Sequence, residues 1–206
     1  MKLNKLPFTK NVMLSFSVLG LALFWVTTAG VSALTTNTTV SSTLSSVISL
    51  LTSNGTLTLN VTPTGAGAQT IGSDTVTVST NDSNGYTLSV ADSTTNTNLV
   101  SGGNSIPASS ATQASPAAQS VNTWGYCVPS IGGFGANCPS GAASSQAISG
   151  SNKFAGIPSS ASPNTIATTA TTASNATTTV WYAVAANTTQ PTGTYSSTVT
   201  YTAVAN

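Results

Sequence analysis

The sequence predicts an all-β protein, a single antiparallel β-sandwich in the Ig-like or jelly-roll style that follows an N-terminal signal helix. The first observation is an apolar–polar alternation with a period of two, which is typical of strands with one solvated face. The second is the abundance of Thr, whose branched Cβ suits a pleated strand. The third is the dipeptide Asn84-Gly85 between two alternating runs, which favours a hairpin turn.

The amino end has the pattern of a targeting segment. Residues 1–10 carry three of the four lysines, residues 12–26 are mostly apolar, and small residues at Val31 and Ala33 match a signal-peptidase site. The apolar run has about 15 residues, whereas a membrane-spanning helix needs about 20. We therefore expect residues 1–33 to be a signal peptide, with an uncleaved anchor as the alternative.

Alternating residues predict the strands of the first half of the mature chain. Residues 47–51 are the expected first strand, and residues 55–61 alternate strictly between apolar and polar side chains. Residues 75–79 and 86–90 flank the Asn84-Gly85 turn, so the sequence predicts a hairpin there.

The second half of the chain ends in two further predicted strands. Residues 178–185 and 195–203 alternate in the same way and are separated by a polar turn at residues 187–193. Between the two halves, residues 101–176 are rich in Gly, Pro, Ala, Ser and Asn, which indicates a loop-rich insertion. We expect one domain over residues 34–206, with this insertion inside it.

Two cysteines, Cys127 and Cys138, lie close together in a Gly-rich stretch. Because an exported chain meets an oxidising compartment, we expect them to form one disulfide. The aromatic residues in and beside this loop either pack over its base or form an exposed platform for sugar rings, and packing is the more usual arrangement. Together with two aromatic residues on predicted strands, they are the candidate contacts to glycan or cell wall: Tyr86, Trp124, Tyr126, Phe134 and Trp181.

Charged residues make up 3% of the chain, against roughly 25% in an ordinary soluble domain. After the signal segment only Lys153, Asp74, Asp82 and Asp92 remain, a net charge of 1 − 3 = −2. Such a chain has neither a basic surface for nucleic acid nor His or Glu for acid–base chemistry. We expect no enzyme activity, no catalytic residue, no cofactor and no metal. Residues 81–85 hold oxygen atoms that calcium accepts, but a plain turn is favoured because further acidic ligands are missing.

Two stretches resemble a known family. Residues 76–90 resemble the first half of the WxL surface domain of Gram-positive bacteria, which places an aromatic-x-Leu motif after a polar turn, and residues 191–204 are similar to its closing strand. Tyr86 and Tyr201 stand where that family has Trp, and Ala203 stands where it has Leu. The composition also resembles that of Ser/Thr/Asn-rich exported proteins of Saccharibacteria. WxL proteins attach non-covalently to peptidoglycan, so the resemblance implies association with the cell wall.

We expect an exported, non-enzymatic structural or adhesive protein, located on the cell surface or outside the cell. Its expected partners are cell-wall glycan or other surface proteins, together with other copies of the chain through edge strands such as residues 194–204, which carry no charge. A carbohydrate-binding module that uses the aromatic disulfide loop is the alternative, and a secreted effector is a third class. Contact with a membrane is expected only through the signal segment, if that segment stays uncleaved.

Overall fold

The computed structural model describes residues 35–129 and 131–206, so the predicted signal peptide, residues 1–33, lies outside the described residues. The chain divides into two units, Met1–Thr43 and Leu44–Asn206, and the strands belong to the second. Within the described residues the regular elements are β-strands, and no helix there is long and apolar enough to cross a membrane. The predicted all-β class is confirmed.

In chain order, the strands of the described residues are β1 (Ile48–Thr52), β2 (Ala68–Thr80), β3 (Tyr86–Asp92), β4 (Leu99–Ser101), β5 (Asn104–Ile106), β6 (Ala117–Ala118), β7 (Thr123–Cys127), β8 (Ala143–Gln146), β9 (Lys153–Phe154), β10 (Asn164–Thr169), β11 (Ala173–Ala186) and β12 (Val199–Ala205). The larger sheet has the order β1-β2-β11-β7, with β8 also paired to β2. The second sheet has the order β10-β3-β12, and β4–β5 and β6–β9 form two-stranded sheets. The ladders between these strands are antiparallel.

The period-two alternation places one face of each of the two larger sheets in a shared core. Val76 and Val78 of β2 and Leu88 and Val90 of β3 are fully buried and belong to one hydrophobic cluster. The Thr and Ser residues between them are only partly buried. Branched hydroxyl side chains thus cover the outer face of each strand while aliphatic side chains fill the inside.

Most of the predicted strands are present, with shifted ends. The strand expected at residues 47–51 is β1, and those expected at 75–79, 86–90 and 178–185 lie within β2, β3 and β11. The last one, expected at residues 195–203, begins later, as β12. Alternation therefore located these strands, whereas their ends depend on which neighbour each strand pairs with.

The prediction of a strand at residues 55–61 was wrong. Their side chains keep the alternation of a strand, but they form no ladder; on this edge of β2 the paired stretches are residues 76–80, with β1, and residues 69–71, with β8. Leu57 and Leu59 pack instead over Gly72, where an added Cβ would lie 2.7 Å from Cδ2 of Leu59. A glycine at this position on β2 is what lets the segment lie so close to the sheet.

The predicted hairpin across Asn84-Gly85 was also wrong, because β2 and β3 lie in different sheets. The turn itself is present: Gly85 has a φ of 83°, the Asp82 carboxylate accepts from Asn84 N at 2.9 Å, and the Asp82 carbonyl accepts from Gly85 N at 3.1 Å. The Asp82 carboxylate and the Asn81 amide also bind residues 46–47, just before β1. These bonds hold the turn to the larger sheet, and the chain crosses from there to the second sheet.

The segment predicted as a loop-rich insertion, residues 101–176, contains the strands from β5 to β10. Its strands are not separate from the rest of the domain, since β7 and β8 join the larger sheet and β10 joins the second sheet. Gly125 of β7 lies against the backbone of Ala155, and a Cβ there would collide with the Ala155 carbonyl oxygen. The segment is therefore part of the core structure and covers the outer edge of β7.

Candidate functional site

The predicted disulfide is confirmed: Cys127 and Cys138 are bonded, with their Cα atoms 5.6 Å apart. Cys127 is the last residue of β7 and is fully buried, so the bond ties the loop that follows to the larger sheet. No free cysteine is found in the part of the chain that the structure describes.

The aromatic residues of the disulfide loop point into the protein. The rings of Tyr126 and Phe134 meet edge to face, with centroids 5.5 Å apart, and both are fully buried. The Tyr126 hydroxyl donates to Gln113 Oε1 at 2.7 Å and accepts from Asn164 Nδ2 at 2.8 Å. Burial raises the pKa of Tyr126 to about 12, while the Asn164 bond acts in the opposite direction. This cluster is a packed base for the loop.

The other candidate contact residues are not gathered at one surface. Trp124 is 3% exposed and its Nε1 donates to the Thr97 carbonyl at 2.9 Å, and Tyr86 on β3 is likewise buried. Trp181 is the exception, since it is only partly buried on β11. A buried ring offers little face on which a sugar can stack, and Tyr86, Trp124, Tyr126 and Phe134 are each 3% exposed or less.

The oxygen atoms of the polar turn are occupied by its own hydrogen bonds. Asp82 Oδ2 accepts from Ser46 Oγ at 3.0 Å and Asn81 Oδ1 accepts from Val47 N at 2.7 Å. Across the described residues, no group of three or more His, Cys, Asp or Glu side chains is placed to hold a metal ion. The turn thus has the arrangement of a structural Asx turn.

Removing both halves of the disulfide, as Cys127→Ser with Cys138→Ser, is expected to lower the free energy of unfolding by about 2–3 kcal/mol, because the unfolded chain regains the entropy of a loop of about a dozen residues. Denaturant unfolding of the double variant against the oxidised parent measures this. Intact mass before and after reduction checks the bond itself. Two thiols that react with an alkylating reagent in freshly isolated native protein would contradict the disulfide.

A cleft with a volume of about 760 Å³ lies between residues 54–63 on one side and residues 190–201 on the other. Its floor is formed largely by apolar and aromatic side chains of the larger sheet, among them Trp124 of β7 and Tyr182 of β11. The segment at residues 55–61 forms one wall, since it pairs with no strand of either larger sheet. The cleft therefore has a backbone segment on each of two sides, and no sequence motif predicts this arrangement.

Three polar side chains meet at the floor of the cleft. The hydroxyls of Tyr182 and Tyr201 are hydrogen-bonded at 2.7 Å and join the larger sheet to β12. Asp74 is 5% exposed, and its Oδ1 accepts from Ser53 Oγ at 2.8 Å and from Asn54 N at 3.0 Å. Burial raises the pKa of Tyr182 and that of Tyr201 well above the ordinary value of 10.0, so both phenols stay neutral under ordinary conditions.

The cleft is the site that sequence reasoning missed. Asp74 is one of only three acidic residues in the sequence, and Tyr201 follows a run of Thr and Ser, yet nothing in their spacing shows that they meet. The one available signal was the alternating segment at residues 55–61, which predicts a strand but not its partner. Comparison of the chain with models of known protein families, with curated proteins and with solved structures found no match.

Proposed function

We propose that this chain is an exported, non-enzymatic structural or adhesive protein of the cell surface, built as a β-sandwich in the Ig-like or jelly-roll style. It holds its place through contacts with neighbouring proteins or with cell-wall glycan. The observation that carries the proposal is the free edge of β12, which lies at the margin of the second sheet and bears no charged residue. Edge strands are normally blunted by charge or proline, and this one is open to pairing.

Three further features support this proposal. The disulfide fits an oxidising compartment, which agrees with the targeting pattern of residues 1–33. The scarcity of His, Glu, Asp and Lys leaves little from which an active site is built. The resemblance of residues 76–90 and 191–204 to the WxL domain favours attachment to the wall without a covalent bond.

The alternative, a carbohydrate-binding module at the disulfide loop, is less favoured because the rings of that loop are buried. Sugar contacts would then rest on hydroxyl and amide groups and on Trp181, the candidate ring with exposed surface. We therefore place adhesion through strand edges ahead of recognition through an aromatic platform.

Fractionation of the native cells tests the proposal. We expect the protein to stay with washed cell walls in about 0.5 M salt and to be released by a chaotrope, because hydrogen bonds and strand pairing are little screened by ions. Lys153→Gln is the matched control, since it removes the one basic side chain of residues 34–206 and is expected to leave retention unchanged. Release by salt alone, or recovery of the protein only from the medium, would overturn the proposal.

A further inference from the structure

The free edge of β12 has backbone groups that point away from its neighbour β3. Thr198, just before β12, accepts from Ser93 N at 2.8 Å, which sets the alternation of the antiparallel ladder. By that alternation Val199, Tyr201 and Ala203 direct their N–H and C=O groups away from β3. In the part of the chain that the structure describes, no hydrogen bond from another segment reaches these groups. They are a row of donors and acceptors ready for one more strand.

The opposite wall of the cleft is unpaired in the same way. Among the described residues, no hydrogen bond joins the backbone of residues 55–59 to another segment, and Asn60 is held only by side-chain hydroxyls. Leu57 and Leu59 cover part of the floor. The cleft is thus a slot above a floor of apolar and aromatic side chains. One wall is the strand-like segment, and the other is the segment that leads into β12 together with Val199 and Tyr201 of β12.

A segment that fits such a slot lies before β1. Residues 35–44, here called the arm, form neither helix nor strand, and they contain no charged residue and no proline. Val40 is 89% exposed and Leu44 is 81% exposed, so both side chains lack apolar cover. In a strand Val40, Ser42 and Leu44 share one face, with the small serine between the two large residues. Ten residues at about 3.4 Å each reach roughly 34 Å, longer than the seven residues of β12.

Strand direction favours an arm from a second copy over the copy's own arm. Asn81 Nδ2 donates to the Ser45 carbonyl, so the arm ends beside the turn between β2 and β3. The last residue of β12, Ala205, pairs with Tyr86 and ends beside the same turn. An arm lying along its own β12 would run parallel to it, whereas an arm from another molecule is free to pair antiparallel, like the other ladders of the fold.

We propose that the arm of one copy docks as an antiparallel strand on the free edge of β12 of a second copy, with one end of the docked strand in the cleft. This inference rests on the proposed function and gives it a partner and a mode of contact. Each docked arm extends the second sheet by one strand and buries Val40 and Leu44. Because every copy has one arm and one edge, the contact is head-to-tail and repeats along a chain of copies.

Complementation between two variants of the exported protein tests this mode. Val40→Asp places a charge on the buried face of the arm. Ala203→Pro removes an N–H that faces the free edge while the ladder with β3 is kept. Each variant alone is expected to be monomeric by light scattering, whereas the parent forms oligomers. An equimolar mixture is expected to form dimers and stop there, since the intact arm of the Pro variant fits the intact edge of the Asp variant.

Thr39→Asp is the matched control, because its side chain lies on the other face of the arm and the oligomers are expected to persist. If Ala203→Pro fails to fold, a variant that lacks residues 35–43 takes its place as the receptor, that is, a copy with a free β12 edge and without the arm. It keeps every strand that the structure describes. A synthetic peptide of residues 35–46 is then expected to bind that receptor, and the same peptide with Asp in place of Val40 is not. Oligomers that survive Val40→Asp would overturn the inference. A monomeric parent would overturn it as well, whether or not a protease cleaves the arm.

The outcomes separate this inference from the proposed function. A monomeric protein that stays with washed walls removes the arm exchange and leaves a surface role in place. Oligomers that obey the complementation but are found only in the medium support the arm exchange and remove the surface role.

Discussion

Replacing Trp124 with alanine is expected to lower the free energy of unfolding by about 3–5 kcal/mol, the range seen for large aromatic side chains removed from a core. The ring is 3% exposed, and its Nε1 donates to the Thr97 carbonyl, so the substitution leaves both a cavity and an unpaired acceptor. Trp124 also lines the cleft, at the edge of the core.

Trp181→Ala is the matched comparison, because it removes the same side chain from a partly buried position on β11. We expect its effect on the free energy of unfolding to be about half as large or less, as only part of the ring leaves the protein interior. Denaturant unfolding of both variants measures the difference. Equal effects, or a change below about 1 kcal/mol for Trp124→Ala, would show that the Trp124 ring is not a core residue.

This comparison also decides how wall-binding experiments are to be interpreted. Trp124→Ala is expected to disturb core packing, so a loss of wall binding in this variant does not by itself identify a glycan contact. Its binding is to be measured at a temperature where the variant is fully folded. Loss of wall binding in Trp181→Ala at nearly unchanged stability, in contrast, would identify a ring that touches glycan.

The sequence predicted the positions of β1, β2, β3, β11 and β12, but it did not predict which strands pair with each other. Alternation marks a strand by its two faces, and the buried Val76 and Val78 obey that pattern as the sequence predicted. Pairing depends on which edges are still free, and this is a property of the whole fold. Residues 55–61 alternate as well as β1 does, but Leu57 and Leu59 lie over Gly72, between the stretches of β2 that pair with β1 and with β8.

The turn at Asn84-Gly85 was predictable as well, but the pairing of the strands on its two sides was not. Asn84-Gly85 does form a tight turn, with Gly85 at positive φ. A turn of this kind joins two paired strands only when both stay in one sheet. Here the side chains of Asn81 and Asp82 bind residues just before β1, so the turn belongs to the larger sheet and β3 starts the second one.

The aromatic residues show the limit of composition as a guide to a binding site. Glycines around Tyr126 and Phe134 are as typical of an exposed loop as of a closely packed one, and the sequence alone favoured packing only on general grounds. Tertiary contacts decide that these rings are buried. The Tyr126 hydroxyl is hydrogen-bonded to Gln113 and Asn164, and the disulfide joins the loop to β7. Gln113 lies 13 residues before Tyr126 and Asn164 lies 38 residues after it, so no local pattern shows that they meet.

The protein is expected to lose stability steeply as the pH rises above about 10, where unfolded tyrosine begins to ionise. Burial raises the pKa of Tyr126 to about 12, and it raises that of Tyr182 and of Tyr201 as well. A raised folded-state pKa means that the folded protein keeps its phenolic protons while the unfolded chain releases them. The stabilisation is thus fully present below pH 10 and is lost as the pH rises through the folded-state pKa.

For Tyr126 alone, a difference of about two pKa units between the folded and unfolded states corresponds to about 2–3 kcal/mol lost by pH 12. The free energy of unfolding, followed by denaturant titration at a series of pH values, is expected to fall by about 1.4 kcal/mol per pH unit for each such tyrosine.

Tyr126→Phe removes one titrating group and is expected to make that fall shallower, although it starts from a lower stability because Asn164 and Gln113 lose their shared partner. Phenolate absorbance that shows every tyrosine ionising near pH 10, while near-ultraviolet circular dichroism stays native, would contradict this account. The Tyr182–Tyr201 bond joins the larger sheet to β12, so ionisation there is also expected to separate the two sheets at the cleft.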